Sequence, residues 1–410
     1  MNLVPKMKNA LVIAGGMWQR PLVKYLQRSG YGVTVVDPYI TSASVLIAEH
    51  HIALDVRERE AILGAVQKSG IQYHLVCTDQ SDISVDTVAY LAEKLGLPGN
   101  SLEAVERFAN KYKCLQYAET VNMPVPEFCQ VSTLAEVKAF MKKIGALLII
   151  KPCDSQSSKG IHVIDKHTTD EEIEQFLADA LQYSFIHRCI LERFMFGYEI
   201  TVEGFCANGK HHVTAVSKKR HFKTGIASTL TYPAEVPEEL LNRIIAADDR
   251  FVENSGLQFG PTHAEYIVNE EKDCFWLVEI ACRGGGTLIS SDIVKWVSGF
   301  DVYDAYLRCL EGNDSAIDMH QLEPKRRSAE LHFFDFGTGD ILHVEGVETV
   351  RHMEGVIYAD LDCLKEGTHI TSCQDDRSRQ GFVIVFAEDN EQLAARISAI
   401  NNTLVVQLKK

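Results

Sequence analysis

His263-Ala-Glu265-Tyr-Ile-Val268, the polar stretch Asn269-Glu-Glu-Lys-Asp273, and Phe275-Trp-Leu-Val-Glu279-Ile-Ala-Cys-Arg283-Gly-Gly-Gly286 read together as a β-hairpin. Two β-branched and aromatic runs flank a turn, which is the hairpin signature. Centred near Lys272 and free of bulges, the hairpin sets Glu265 directly opposite Glu279 on one face. Like charges facing each other across strands, with side chains roughly 5 Å apart, destabilise a sheet. A hard divalent cation between them removes the conflict, because Mg²⁺ takes oxygen ligands and completes its shell with phosphate and water. Arg283 follows on the exit from the second strand, and three glycines give close backbone access. The stretch reads as a metal–phosphate site, set against the plainer alternative of solvated acids on an exposed hairpin.

The rest of the chain bounds what such a site could serve. With 410 residues, 46% hydrophobic and 24% charged, the composition is that of an ordinary soluble protein of two or three domains. A net charge of −15 disfavours general nucleic-acid or anionic-membrane binding. An anionic substrate therefore requires a local cluster of basic groups. Eleven cysteines, an odd number without CxxC pairs, point to free thiols in a reducing cytoplasm rather than to disulfides or zinc. No apolar run approaches the roughly 20 residues of a membrane-spanning helix. The start, Met1 to Asn9, runs straight into a strand and does not resemble a signal peptide.

Ala10 to Ala14 is a short buried strand, Gly15-Gly16 a turn, and Arg20 to Ser29 a helix. A strand at Gly32 to Val36, a helix at Glu58 to Ser69 and a strand at Tyr73 to Thr78 complete a βαβαβ pattern, which predicts a doubly wound parallel sheet. A helix over Ile83 to Leu95 ends at Gly96-Leu-Pro98-Gly99, and the first domain is expected to span residues 1–109. Gly15-Gly16 and Asp37 invite a dinucleotide reading with Asp37 on a ribose. The G-x-G-x-x-G fingerprint is missing, however, and a plain glycine turn is the better reading.

The middle of the chain is α+β: helices at Asn110 to Val121 and Leu134 to Ile144, and strands at Ala146 to Ile150, Ile161 to Ile164, Cys189 to Phe194, Tyr198 to Phe205 and His212 to Ser217. Beyond Ser328 it is strand-rich (Leu331 to Phe336, Val356 to Leu361, Gly381 to Ala387), with a last helix at Asn390 to Asn401. Lys151 sits where a strand gives way to Cys-Asp-Ser-Gln-Ser157-Ser158-Lys-Gly160. Backbone N–H groups of such a loop can surround phosphate oxygens while the lysine supplies charge. The Walker pattern is absent, so this is not a P-loop. Glu192 and Glu199 flank Arg193-Phe194-Met-Phe-Gly197, where apolar residues could face a flat base and a carboxylate could accept from ribose hydroxyls.

In order, Asn110-Lys111-Tyr…Met123-Pro-Val-Pro126, Ile149-Ile-Lys151-Pro…Ser157-Ser-Lys-Gly160, Leu191-Glu-Arg-Phe…Gly197-Tyr-Glu199, His263-Ala-Glu265 and Glu279-Ile-Ala-Cys-Arg283 resemble the ATP-grasp superfamily over nearly the whole chain. The resemblance implies an α/β and α+β architecture in three parts. These are an N-terminal Rossmann-like pre-ATP-grasp domain (1–109), an ATP-grasp domain (110–315) of two α+β subdomains hinged near 191–197, and a strand-rich biotin-carboxylase-like C-terminal domain (316–410). It also implies that Lys111 and Lys151 contact ATP phosphates together with Ser157, Ser158 and Gly160. Glu192, Arg193 and Phe194 would hold adenine, and Glu199 the ribose. Glu265 and Glu279 would bridge two Mg²⁺ ions, with Mn²⁺ as a substitute, and Arg283 with Lys151 would act in catalysis. The usual third ligand, an Asn two residues after the second Glu, is Ala281 here, so more water or a neighbouring group is expected at one ion.

The implied chemistry is ADP-forming activation of a carboxylate as an acylphosphate, followed by attack of an amine, most closely as in the L-amino-acid (dipeptide) ligases. The alternatives are a purine-pathway or carboxylase-type enzyme activating bicarbonate or formate, and a non-catalytic ATP-binding module. His221, Lys223, His263, Arg283 and Gly285 are candidates for the small substrates. The basic segment Lys218 to Ile226 is a candidate lid, and it reads equally as a site for a substrate carboxylate and as a solvated basic loop. A homodimer in the cytoplasm, without nucleic-acid or membrane partners, completes the expectation.

Overall fold

The computed structural model describes residues 8–155, 159–223, 225–313, 327–374 and 378–409. Four parallel strands, β1 (Lys8–Ile13), β2 (Tyr31–Val36), β3 (His50–Ile52) and β4 (Leu75–Cys77), form a sheet in the order β3-β2-β1-β4. Ala10 to Ile13 and all of β2 are buried, as continuous apolar runs in a parallel sheet covered by helices should be. Gly15 turns the chain where a Cβ would lie 2.8 Å from Val35 and 2.9 Å from Asp37. Asp37 accepts from the amides of Gly15 and Tyr39 and from the Ser42 hydroxyl at 2.7–2.9 Å. Those bonds pin the turn and commit the carboxylate, which favours the glycine-turn reading over a ribose contact.

A second, antiparallel sheet holds β5 (Phe128–Val131), β6 (Leu148–Pro152), β7 (His162–Ile164) and β8 (Cys189–Arg193) in the order β5-β8-β6-β7. The following strands are β9 (Tyr198–Ala207), β10 (Lys210–Lys223), β11 (Ile226–Tyr232), β12 (Gly260–Asn269), β13 (Cys274–Ala281), β14 (Ser328–Phe333), β15 (Gly339–Glu345), β16 (Val356–Asp360), β17 (His369–Ile370), β18 (Phe382–Ala387) and β19 (Val405–Lys409). Eight of these make one sheet in the order β13-β12-β9-β10-β11-β14-β18-β16, and β17-β15-β19 form a small fourth sheet. β11 pairs with β14, so a single hydrogen-bonded sheet joins the middle of the chain to its C-terminal region. The expected boundary at 315/316 falls outside the described residues.

The hairpin β12–β13 sets Glu265 opposite Glu279, by a different route from the straight ladder expected. Beside the turn Asn269 pairs with Cys274, a register that carried on would face Glu265 with Val278. A bulge between Glu265 and Tyr266 absorbs one extra residue of β13 and corrects the pairing. The bulge also decides faces. In an unbroken strand Leu277 and Glu279 would point the same way. Here Leu277 joins the core with Ala264, Tyr266 and Val268 beneath the helix Glu238–Asn254, and Glu279 turns to the opposite side.

The segment Lys218 to Ile226 departs from the expected loop. Lys218 to Lys223 are the end of β10, paired in register with Ile226 to Thr231 of β11 and irregular at Arg220, His221 and Lys223. The alternation Ser217, Lys219, His221 carries it as a strand, and the cluster of charge had obscured that period.

Candidate active site

A cavity of about 980 Å³ opens between the two antiparallel sheets and reaches the first domain. Of the residues expected to act, it is lined by Lys111, Lys151, Glu192, Arg193, Phe194, Glu199, His221, Lys223, His263, Glu265, Glu279 and Arg283. Gly160 is not on its wall: at φ +65°, it packs where a Cβ would lie 2.9 Å from Ala180. Gly285 is not on it either, since its place against Glu203 and Ile289 leaves 2.8 Å for a Cβ, and Gly286 and Thr287 face the cavity instead. Ser157 and Ser158 lie outside the described residues.

At one end, β6 and β8 bring Lys151 and Glu192 together with Nζ and Oε2 3.1 Å apart, both almost fully buried. Among the described residues the other Glu192 oxygen, Oε1, is buried without a hydrogen-bond partner. A buried acceptor of this kind is costly unless a donor meets it. Glu192 thus keeps one acceptor that no donor among the described residues meets.

On the cavity side of the hairpin Glu199, Glu265 and Glu279 each have a cation. Lys111, at the start of the helix Lys111–Thr120, places Nζ 2.8 Å from Glu279 Oε2 and donates to the Ser155 carbonyl. Lys219 on β10 donates to Glu265 at 2.7 Å and also to Glu199, while His221 lies 3.1 Å from Glu199. Burial alone would raise the Glu265 carboxyl, but Lys219 and His263 outweigh it and hold it well below the usual carboxylate range. Burial likewise pushes Lys111 and Lys219 down, and the facing glutamates overcome it and raise both.

Behind this layer Glu203 Oε1 accepts from His263 Nδ1 at 2.8 Å, Thr201 at 3.1 Å and Tyr232 at 3.3 Å. Burial lowers the His263 imidazole, yet Glu203 by charge and hydrogen bond lifts it to about 9. Arg283 is clamped by Asp82 of the first domain at 2.8 and 2.9 Å and donates to the Gly284 carbonyl. Next to it the buried Asp79 receives the Gly284 amide and the hydroxyls of Ser290 and Tyr303 at 2.7–3.0 Å. Thr287 and Leu288 then adopt φ of 54° and 64°. Such values are uncommon for a leucine and an outlier for a β-branched threonine, and the bonds from Asp79 hold the turn in place.

Sequence reasoning missed Lys219, Glu203, Asp79 and Asp82. The period-2 series Glu199, Thr201, Glu203 on β9 offered a signal for Glu203. Lys219 acquires its partners only through register, opposite Glu199 across β10 and β9. Asp79 and Asp82 meet their partners about two hundred positions later, at |i−j| of 205 and 201, and no local pattern marks that.

Among the described residues no group of three or more His, Cys, Asp or Glu is placed to hold a metal. The facing pair Glu265 and Glu279 is a two-carboxylate donor set. That suits Mg²⁺, which is held by one or two carboxylates with phosphate and water, and not a structural zinc, which needs four protein ligands.

Two domain models match in sequence order: an ATP-grasp domain over residues 144–292 and the L-amino acid ligase C-terminal domain 2 over residues 332–409. The alanine–anticapsin ligase of Bacillus subtilis is 25% identical over 306 residues, covering 68% of this chain and 64% of that protein. The formate-dependent phosphoribosylglycinamide formyltransferase of Stenotrophomonas maltophilia is 27% identical over 209 residues, 49% of this chain and 51% of that protein. The chain thus spans about half to two thirds of the length of these relatives. The crystal structure of the L-amino acid ligase from Bacillus licheniformis superposes with a TM-score of 0.82 at 21% identity, covering 98% of this chain and 99% of that one, which is a likeness of fold. Residues 144–292 thus carry an ATP-grasp domain, and residues 332–409 carry the C-terminal domain of the L-amino acid ligase type.

Proposed function

We propose that this protein is an ADP-forming ligase that activates the carboxylate of an amino acid or similar small acid and joins it to the amine of another. As an ATP-grasp protein it takes ATP with Mg²⁺. The observation that carries the residue assignment is the facing pair Glu265 and Glu279, half-buried beside Lys111 and Lys219, in one cavity with the unpaired Glu192 oxygen.

Glu192 Oε1 accepts from the adenine amine, with Arg193 and Phe194 beside the base, and Glu199 receives the ribose hydroxyls. Lys111 and Lys151 meet the phosphate oxygens. Glu265 and Glu279 would hold the metal, two Mg²⁺ ions in this reading or Mn²⁺ in their place, and the bound metal would supply positive charge against the phosphate oxygens. An oxygen of the substrate carboxylate bonds to the γ-phosphorus, and the bond from that phosphorus to the ADP oxygen breaks, ADP leaving with the electron pair. Arg283, its direction fixed by Asp82, aims its remaining N–H groups at the oxygens that gain charge. His263, held protonated by Glu203, adds a second donor there. The amine nitrogen then bonds to the acyl carbon, the bond from that carbon to the phosphate oxygen breaks, phosphate leaves with the electron pair, and the nitrogen gives up a proton to the departing phosphate. His221 and Lys223 line the approach of the small substrates. Lys223 also donates to Gln374 at 2.7 Å, which ties β10 to the C-terminal region.

The match of the C-terminal region to the ligase type favours this reading over activation of bicarbonate or formate. None of the helices among the described residues is long and apolar enough to cross a membrane, and all eleven cysteines are unbridged. Both fit a cytoplasmic enzyme, which we take to act as a homodimer. The test is Mg²⁺-dependent ADP release over all pairs of amino acids, with bicarbonate and formate as controls. ATP binding without turnover on any pair would overturn the ligase assignment in favour of a non-catalytic module.

A further inference from the structure

The cavity continues past the carboxylates to a second end of different chemistry. Trp18, Leu230, Leu331, Phe333 and Phe382 wall it. They arrive from three places: a tight turn of the first domain, β11, and the pair β14–β18. Register sets Leu230 beside Leu331 and Phe333 beside Phe382. The rings of Phe333 and Phe382 lie 5.7 Å apart and those of Trp18 and Phe382 5.9 Å apart, distances at which aromatic rings attract. Arg379 stands over Phe333 with its guanidinium 3.5 Å from the ring centroid, and it too lines the cavity.

Lys151, Glu192 and Glu199 occupy the other end, on β6, β8 and β9. Along the sheet β18 is five strands from β12, roughly 24 Å at the usual spacing. Both nonetheless face one cavity, so a molecule at the aromatic end looks across at whatever is activated over Glu265 and Glu279. A core edge accounts for Leu331 and Phe333, which are 1% and 2% exposed. It does not account for Trp18, which is only partly buried. Apolar walls with a few placed charges are how sites grip a small molecule and fix its orientation.

We propose that this end receives the amine partner as an α-amino acid with a large apolar or aromatic side chain, whose carboxylate is taken by Arg379. The proposal rests on the ligase reading and names one of its substrates. A carboxylate held at Arg379 is kept from phosphorylation, and the neighbouring amine is left to face the acyl group.

Steady-state ADP release is measured with the acid partner held at saturation and the amine varied. Phenylalanine, leucine and tryptophan should exceed glycine, serine and aspartate in kcat/KM by at least about 10-fold, the scale of burying one such side chain. Arg379→Met should raise KM for phenylalanine by about 10-fold or more while leaving KM for ATP unchanged. Phenethylamine, which lacks the carboxylate, should be indifferent to that change. Trp18→Ala should narrow the preference for large side chains, whichever way Arg379→Met folds. ADP release with a preference for small or polar amines overturns this proposal and leaves the ligase reading standing. Equal sensitivity of phenylalanine and phenethylamine to Arg379→Met overturns the role of Arg379. Calorimetric binding of L-phenylalanine but not glycine, with no ADP release on any pair, supports the pocket and removes the ligase reading.

Discussion

β12 meets a histidine–carboxylate cluster on each of its two faces, and the carboxyl groups of the two are shifted in opposite directions. On the cavity face, His263 and Glu265 meet Glu203 and Lys219, and the carboxyl of Glu265 is held well below its ordinary range. On the other face, Thr262 and Tyr266 meet His211 and Asp248 beneath the helix Glu238–Asn254. There, among the described residues, no lysine or arginine pairs with Asp248, and burial, only partly offset by His211 and Tyr266, pushes its carboxyl up to about 6. Burial thus leaves an acid ionised well into the acid range where cations are supplied, and one that takes up a proton near pH 6 where they are not. Keeping acids ionised beside a cavity is what a metal–phosphate seat needs. An acid with a raised carboxyl under a helix is ordinary structural accommodation.

The comparison breaks most visibly at Glu279. If the cavity-face charges serve catalysis, Glu279→Ala should lower ADP release by about 10³-fold or more while the melting temperature stays close to that of the parent. Near-normal ADP formation by that variant would remove the assignment. Next in size is Lys219→Met, which strips the shared cation from Glu199 and Glu265 together. A loss of about 10²-fold in kcat/KM is expected, with KM for ATP raised. Unchanged kinetics would show that Lys219 only balances charge.

How far the chain could be read follows the same division. The cavity face was legible where its residues lie close in sequence or repeat with period two, as Glu265 and Glu279 do across one turn. Even that pairing depends on a bulge that no residue type announces; straight-ladder counting reaches the same pair because Lys272 lies only half a residue from the true centre. Lys219 and Asp82 were not legible, since register and a contact 201 positions apart create their roles. The covered face was missed with its helix. Leu240, Ile244, Phe251 and Val252 recur at helical spacing, but His211, Asp248 and Thr262 become a cluster only when that helix lies across β10 and β12.

The covered face makes a prediction of its own, with the opposite sign from a salt-bridged acid. An unfolded aspartate titrates near 3.9, and the folded Asp248 near 6. The folded state therefore binds the proton more tightly. The contribution of Asp248 is fully present below about pH 4 and is lost as pH rises through 6, by about 1–3 kcal/mol. Urea midpoints of the wild type and Asp248→Asn, compared from pH 4 to pH 8, should diverge over that window, the wild type losing stability relative to the variant. Parallel curves would mean that Asp248 is ionised throughout and that the two faces do not differ as described.

The smallest effect is expected at Ala281, where a metal-binding Asn would otherwise stand. Beyond the bulge Ala281 shares the face of Glu279, so an oxygen there points toward the right side of the sheet. It also lies directly opposite His263, buried to 7% exposure. Facing side chains are about 5 Å apart at such a position. The imidazole already reaches Glu203 at 2.8 Å and Glu265 at 3.5 Å. In Ala281→Asn the new amide oxygen meets this protonated ring before it meets any ion, and it is bound as an acceptor by the histidine. The Mg²⁺ concentration for half-maximal ADP release should then move by less than about 3-fold, under 1 kcal/mol. A tightening of 10-fold would show that the oxygen does reach the metal. His263 would then be no barrier at that position, and the protonated histidine would have to be dropped from the account of how the cavity face manages with one ligand fewer.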